Sequence, residues 1–279
     1  MKKKIIFLFG ASGFVGRNLV QTLECDEIIG IDKMPVDIKI KKKIRKFYQN
    51  DILQLSSDIF PDKYFYVINL IAELGSASPE LNYLNNLESA KKIISLLGCK
   101  KKYCKGIIHF SSISAVRAVS HYGETKKASE DVFLKSGYKV VILRSEMIIG
   151  SGARSIEKFT KALKIFPFFT FLPDGGYVKR FPIDITEVGK IVNLIIQFNY
   201  FKNKIYYLVS APVLVREIAK KITKRIIIPI PKQLLFILAK ILERFFKKPF
   251  FTYDNAVGIC TDTKFDGEII SEDVIRENG

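Results

Sequence analysis

The chain has 279 residues, 48% of them apolar, and a formal net charge of +17. That length and apolar share suit one large domain or two small ones with a sizeable core, and exclude global disorder. Four cysteines are too few for a disulfide framework and complete no metal set with histidine, so they read as reduced thiols of a cytoplasmic protein.

The opening MKKKIIFLFGASG imitates a secretion signal, but its apolar run, Ile5 to Phe9, stops at Gly10. A signal needs roughly 7–15 apolar residues, so a buried strand explains the run better. No window approaches the ~18 apolar residues of a membrane-spanning helix. Lysine runs at 2–4, 41–43, 91–92, 100–102, 126–127 and 247–248 are scattered along the chain, with no nucleic-acid motif beside them. Nucleic acid and an anionic membrane surface or metabolite are the competing readings; the scatter favours solvated charge from compositional bias, which also steers an anionic substrate.

In the first half, short apolar runs at 4–10, 27–32, 64–72, 105–112 and 138–145 read as buried strands. Stretches of helical spacing lie between them, from Phe14 to Leu23, Leu81 to Leu97 and Tyr122 to Leu134. Strand alternating with helix predicts an α/β fold: a doubly wound parallel sheet with helices on both faces and right-handed crossovers. After Gly150 the rhythm changes. Segment 166–182 is aromatic with three prolines and a Gly-Gly turn. A helix is expected over 184–198 with a cap near Thr186, a strand over 204–210, and helices over 215–222 and 232–248. Residues 1–150 thus form a Rossmann-type domain to which 183–210 returns, and 151–279 form mainly a small substrate lobe. The 232–248 helix carries Gln233, Lys240, Arg244 and Lys247 on one stripe. It reads as packed in that lobe, with an anionic membrane surface or a partner groove as alternatives.

Gly10, Gly13 and Gly16 stand between the first strand and the first helix. Gly10 can take the angles of a tight turn. Gly13 lets a diphosphate approach the main chain, and Gly16 lets helix and strand pack closely. The helix start offers N–H groups and a positive dipole end to phosphates, around Ser12, Phe14 and Val15. Asp32 ends the second strand, where a carboxylate accepts both ribose hydroxyls and repels a 2′-phosphate. This favours NAD over NADP, with Arg17 as the counter-signal. The metal expectation is none.

The G-x-x-G-x-x-G spacing resembles the short-chain dehydrogenase/reductase superfamily in its extended and atypical branches, the NAD-dependent epimerase/dehydratase family. Further segments carry the likeness: VINLIAELG (67–75), NNLESAKKII (85–94), IIHFSSISAV (107–116), HYGETKKASE (121–130), VVILRSEMIIGSG (140–152), and two stretches of the small lobe around 171–192 and 251–270. The resemblance implies that Asp51 and Ile52 border the adenine, with a turn or cap role for Asp51 as the alternative. It puts Leu70, Ile71 and Ala72 beneath the cofactor and Asn86 at the family's asparagine. Tyr122 would move a proton on or off a substrate hydroxyl. Lys126, four residues on and so on the same helix face, would lower the tyrosine pKa and hold the nicotinamide ribose. Ser112 would orient the substrate oxygen, with Ser111 and Ser114 as alternatives.

Arg144 and Arg180 are candidate ligands of substrate phosphates, with a structural ion pair as the alternative for Arg144. His109 reads as buried and His121 as exposed, neither a ligand. The acid and base that sugar dehydratases carry after the serine are missing here, where Ile113 and Ser114 follow. Oxidoreduction or epimerisation of a nucleotide-sugar remains. A catalytically quiet dinucleotide-binding scaffold or sensor, at a membrane, is the other reading. The resemblance also brings in a homodimer as one assembly, since family members often dimerise through helices such as 82–97 and 121–136; the sequence itself leaves the oligomeric state open.

Overall fold

The computed structural model describes residues 3–73, 78–246 and 251–278. Lys2, Leu74, Gly75, Lys247 and Lys248, used above, lie outside the described residues. The first half comprises β1 (Ile5–Phe9), α1 (Phe14–Thr22), β2 (Glu27–Asp32), α2 (Ile38–Lys41), β3 (Lys46–Gln49), β4 (Phe65–Asn69), α3 (Pro79–Asn82), a π-helical turn at Tyr83–Glu88, α4 (Ser89–Leu97), β5 (Cys104–Ser112), α5 (Ser114–Arg117), α6 (His121–Leu134) and β6 (Val140–Ser145). The second half comprises β7 (Met147–Ile149), α7 (Arg154–Leu163), β8 (Phe169–Pro173), β9 (Lys179–Arg180), β10 (Pro182–Asp184), α8 (Ile185–Gln197), β11 (Lys204–Leu208), β12 (Val213–Leu214), α9 (Val215–Ile222), β13 (Ile226–Ile230), α10 (Lys232–Phe245), α11 (Tyr253–Cys260) and α12 (Glu272–Asn278).

Seven strands form one parallel sheet in the order β3-β2-β1-β4-β5-β6-β11. All five residues of β1 are buried, as a strand covered on both faces must be. One apolar layer joins α1, α8 and α12 to the sheet through Leu19, Val188, Ile191 and Ile275. The other joins α4 and α6 through Ala90, Ile93, Leu96 and Phe133. This is the doubly wound Rossmann arrangement that the alternation implied. Segment 185–208 returns to it, α8 filling one layer and β11 the sheet edge.

Several boundaries differ from the sequence expectation for identifiable reasons. β1 stops at Phe9 because Gly10 turns to φ +85. β4 stops at Asn69, whose side-chain oxygen accepts from the N–H of Ile71 at 3.1 Å and turns the chain. The cap of α8 is Asp184, not Thr186: the Asp184 carboxylate accepts from the Thr186 N–H at 2.8 Å. The helix expected over 81–97 is interrupted by its π turn. All strand C-termini of this sheet face one edge, and the order in which successive strands are added reverses between β1 and β4. In open α/β sheets that reversal opens the ligand crevice.

Candidate active site

The glycine turn forms one wall of that crevice. A side chain on Gly10 would meet the Leu70 main chain at 3.1 Å, besides opposing its positive φ. A Cβ on Gly16 would lie 2.3 Å from the Gly10 carbonyl, so only glycine lets α1 start this close to β1. Gly13 is exposed and Ser12, Phe14 and Val15 are half-buried around it. No side chain caps α1 and no acidic residue stands in its first turn. The turn therefore presents main-chain donors and a positive dipole end, which fit the diphosphate of a dinucleotide.

Asp32 braces the same turn, accepting from the N–H of Ser12 at 2.9 Å and from that of Met34 at 3.0 Å. Its remaining lone pairs can take ribose hydroxyls. Arg17, the counter-signal for a 2′-phosphate, reaches toward the turn after β7: its Nη2 lies 3.9 Å from where a Cβ of Gly152 would stand.

Leu70, Ile71 and Ala72 are half-buried beyond β4, at the crevice floor. Asn86 is 1% exposed within the π turn. It accepts from the N–H of Glu73 at 3.0 Å and donates to Thr125 Oγ1 at 3.0 Å, tying the floor to α6. π turns are common at functional sites. Asp51 caps the 3₁₀ turn Ile52–Gln54 by accepting from the N–H of Leu53 at 2.9 Å, the cap role left open above. Ile52 is buried.

The inner face of α6 is polar where a structural helix would be apolar. Lys126, Ser129 and Glu130 are each 1% exposed or less. Lys126 Nζ donates to the Phe110 carbonyl at 2.7 Å. Burial pushes its pKa down to about 8, against the opposing pull of Glu130. Tyr122 is half-buried one turn earlier, at the mouth. Gly123 lets α5 approach α6, since a Cβ there would be 2.5 Å from the Ser114 carbonyl.

Behind Lys126 runs a chain of hydrogen bonds that the sequence did not reveal. The Ser129 hydroxyl donates to the Lys126 carbonyl at 2.7 Å and therefore accepts from His109 Nε2 at 3.1 Å. His109 Nδ1 then accepts from Asn69 Nδ2 at 3.1 Å, and Asn69 Oδ1 holds the N–H of Ile71. Burial, then the Lys126 charge, hold the His109 pKa well below 6.5, so the ring is neutral, as this chain requires. His121 is exposed, 3.4 Å from Glu124.

The three serines separate. Ser111 is buried and donates to Glu130 at 2.5 Å. Ser112 Oγ, half-buried at the end of β5, accepts from the N–H of Ser114 at 3.2 Å, and Ser114 is also half-buried.

Arg144 serves the structural alternative and not the expected phosphate contact. Its Nε and Nη2 donate to both oxygens of Glu130, at 2.9 and 2.7 Å. A carboxylate with 2% of its side chain exposed needs such a partner, and Arg144 is spent on it. Arg180 is different. It is 4% exposed, its Nη1 donates to Glu146 at 3.3 Å and to the Thr261 carbonyl at 2.9 Å, and its Nη2 is buried with no partner among the described residues. Burial, with repulsion from Arg117 against the pull of Glu146, lowers its pKa. Arg117 in turn donates to Thr263 at 3.3 Å. A cavity of about 320 Å³ is lined by Thr261, the carbonyl partner of Arg180, with Asp262, Cys260 and Tyr177 among others; Arg180 itself is not in that lining. A larger one, about 560 Å³, lies at the start of β11, at the far edge of the sheet, and belongs to no part of this site. Glu130, Glu146 and Arg117 escaped the sequence reading. Only Glu130 had a signal, its place four residues beyond Lys126 on one face.

No family model matches the sequence, and no curated protein matches it by sequence. Solved structures do match. A UDP-N-acetylglucosamine 4-epimerase from Methanobrevibacter ruminantium M1 is 18% identical, with 83% of this chain and 86% of that one covered at a TM-score of 0.66. The chain has its fold. The UDP-glucuronic acid 4-epimerase from Bacillus cereus, in complex with NAD, is 18% identical, covering 81% and 87% at 0.66. The enzyme WbmF from Bordetella bronchiseptica, in complex with NAD+, is 18% identical, covering 92% and 91% at 0.66. The fold that the motif resemblance implied is the fold these proteins share, the latter two solved in complex with NAD. Among the described residues no helix is long and apolar enough to cross a membrane, and no cluster of His, Cys, Asp and Glu could hold a metal ion.

Proposed function

We propose that this protein is an NAD-dependent epimerase of a nucleotide-activated sugar. The observation that carries the reading is α6: it buries an ammonium at Lys126 one turn from Tyr122, at the edge where β5 meets the crevice. Gly10, Gly13, Gly16 and the start of α1 would hold the dinucleotide diphosphate, and Asp32 the adenosine ribose. Bound there, the nicotinamide supplies a hydride acceptor and, in reverse, a donor. Tyr122 takes the proton of the sugar hydroxyl as that carbon is oxidised to a ketone, and returns it when the carbon is reduced from its other face. Lys126 favours the phenolate by its charge. Its amine is enclosed in this structure, so the charge role is the one its position supports, and a ribose contact requires it to be uncovered. Ser112, or Ser114 beside it, orients the substrate oxygen. The orphaned Nη2 of Arg180 suits a substrate phosphate oxygen, since an unmet buried donor costs about 1–3 kcal/mol until it is paired. Ile113 and Ser114 provide neither acid nor base for dehydration.

The test is a panel of UDP-sugars offered to the purified protein with NAD, followed by separation of the epimers. Tyr122→Phe should lower turnover by roughly 10²–10⁴-fold with NAD binding unchanged. Full turnover by that variant refutes the assigned role.

A further inference from the structure

The small lobe shows water an apolar surface that the catalytic reading does not use. Of the 21 exposed large apolar side chains among the described residues, 13 lie between residues 165 and 246. On α10 they form a single stripe. Leu234, Ile237, Leu238, Ile241 and Phe245 recur at intervals of three and four, and all are 46–74% exposed. Only Ala239 and Leu242 of this helix are buried. The helix is therefore amphipathic with its broader apolar stripe turned to solvent, the reverse of a packed surface helix. Gln233, Lys240 and Arg244, all exposed, line one flank of the stripe.

The ribbon leading into α10 repeats the pattern. β8 and β13 pair in parallel with Phe169 opposite Ile226 and Phe171 opposite Ile228. Phe169, Phe171 and Ile226 are 40%, 40% and 64% exposed, and Phe166 packs edge-on against Phe171 at 5.2 Å. Charge decides what such a surface fits. Segments 156–171 and 219–246 carry ten basic residues against two acidic ones, Glu157 and Glu243. Glu243 is already engaged with the N–H of Tyr253 at 2.8 Å.

We infer that the small lobe docks on an anionic lipid bilayer, with the apolar stripe of α10 and the Phe166–Phe171 face in the headgroup boundary and Lys240, Arg244 and their neighbours on the lipid phosphates. An aliphatic and aromatic stripe flanked by cations on a helix too short to span is the arrangement of interfacial helices. The contact is peripheral and independent of the reaction proposed above.

The experiment is co-sedimentation of the full chain with phosphatidylcholine vesicles, with and without phosphatidylglycerol, across a salt series. Binding should require phosphatidylglycerol and weaken as salt rises. Lys240→Gln/Arg244→Gln should weaken it by roughly fivefold for each cation removed. Ile237→Glu/Ile241→Glu should abolish it. These side chains are exposed, so melting temperature and nucleotide binding should stay at the parent values. Equal binding to neutral and anionic vesicles, or none to either, overturns the proposal. So does a dimer of the parent chain that Ile237→Glu/Ile241→Glu splits without changing vesicle binding, because a second copy would then be what covers the face.

Discussion

Glu130→Gln is the most informative single change, because it removes a charge on which three buried groups depend. Glu130 receives two donors of Arg144, at 2.9 and 2.7 Å, and the Ser111 hydroxyl. The side chains of Glu130 and Arg144 are 2% and 11% exposed, so solvent screens the pair little. Neutralising one partner strands the other. Such breaks cost about 3–5 kcal/mol, most of it the uncompensated buried charge. In a chain of this length each kcal/mol moves the melting temperature by roughly 2–4 °C, so the variant should melt roughly 6–20 °C lower. Burial alone would lower the Arg144 pKa; Glu130 outweighs it and raises the net value. The guanidinium will therefore not escape the penalty by losing its proton.

Glu130 also opposes the burial of Lys126, so its loss should push that amine further below about 8. Thermal melts by circular dichroism, with urea titration for the free energy, measure the first effect. The double variant Glu130→Leu/Arg144→Met separates charge from packing and should recover most of the loss, since apolar replacement of a buried pair is often neutral. If Glu130→Gln melts within about 1 °C of the parent, the pair is not the buried, unscreened bridge described here.

Gly16→Ala places a methyl 2.3 Å from the Gly10 carbonyl and 2.8 Å from Ala11 Cα, so α1 must shift. It should cost about 1–3 kcal/mol and weaken NAD binding more than tenfold by calorimetry. Ala118 sits at φ +45, a left-handed conformation. Its relief in Ala118→Gly is worth about 1–2 kcal/mol, less the ~0.4–1 that glycine adds to the freedom of the unfolded chain. Urea titration should show a net gain, and a loss would contradict the strain. Lys126 has a folded pKa of about 8, below the ~10.4 of an unfolded lysine. The unfolded state then binds more protons between those values, so stability should rise with pH across that window. Lys126→Met should abolish that rise, and a parent whose stability does not rise there contradicts the buried charge.

What the sequence made legible was local. The glycine turn, the strand ends and the Tyr122–Lys126 pair are written in neighbours a few residues apart, and the structure puts them on one sheet edge. What stayed hidden depends on distant partners. Arg144 finds Glu130 fourteen residues away on another element, so its pattern alone could not choose between ligand and ion pair. Arg180 finds Glu146 from a two-residue strand of the small lobe. The π turn has no signature because tertiary bonds of Asn86 hold it, not propensity. Asp51 shows the limit from the other side: a residue that caps a turn and one that meets an adenine look alike in sequence.

The polar interior of α6 is the feature least explained by stability. Apolar residues at 126, 129 and 130 would pack against β5 without desolvating anything, and buried pairs replaced in that way often leave a protein no less stable. Instead every polar group finds a partner, through Asn69, His109 and Ser129 on one side and Ser111 and Arg144 on the other. Satisfied buried networks rigidify what they connect. This one connects the turn beyond β4, expected beneath the cofactor, to the helix that carries Tyr122 and Lys126. A core built only to hold the sheet together has no need to fix those two parts to each other. A site that moves a proton and a hydride at one carbon does, because both transfers fail when donor and acceptor drift by about an ångström.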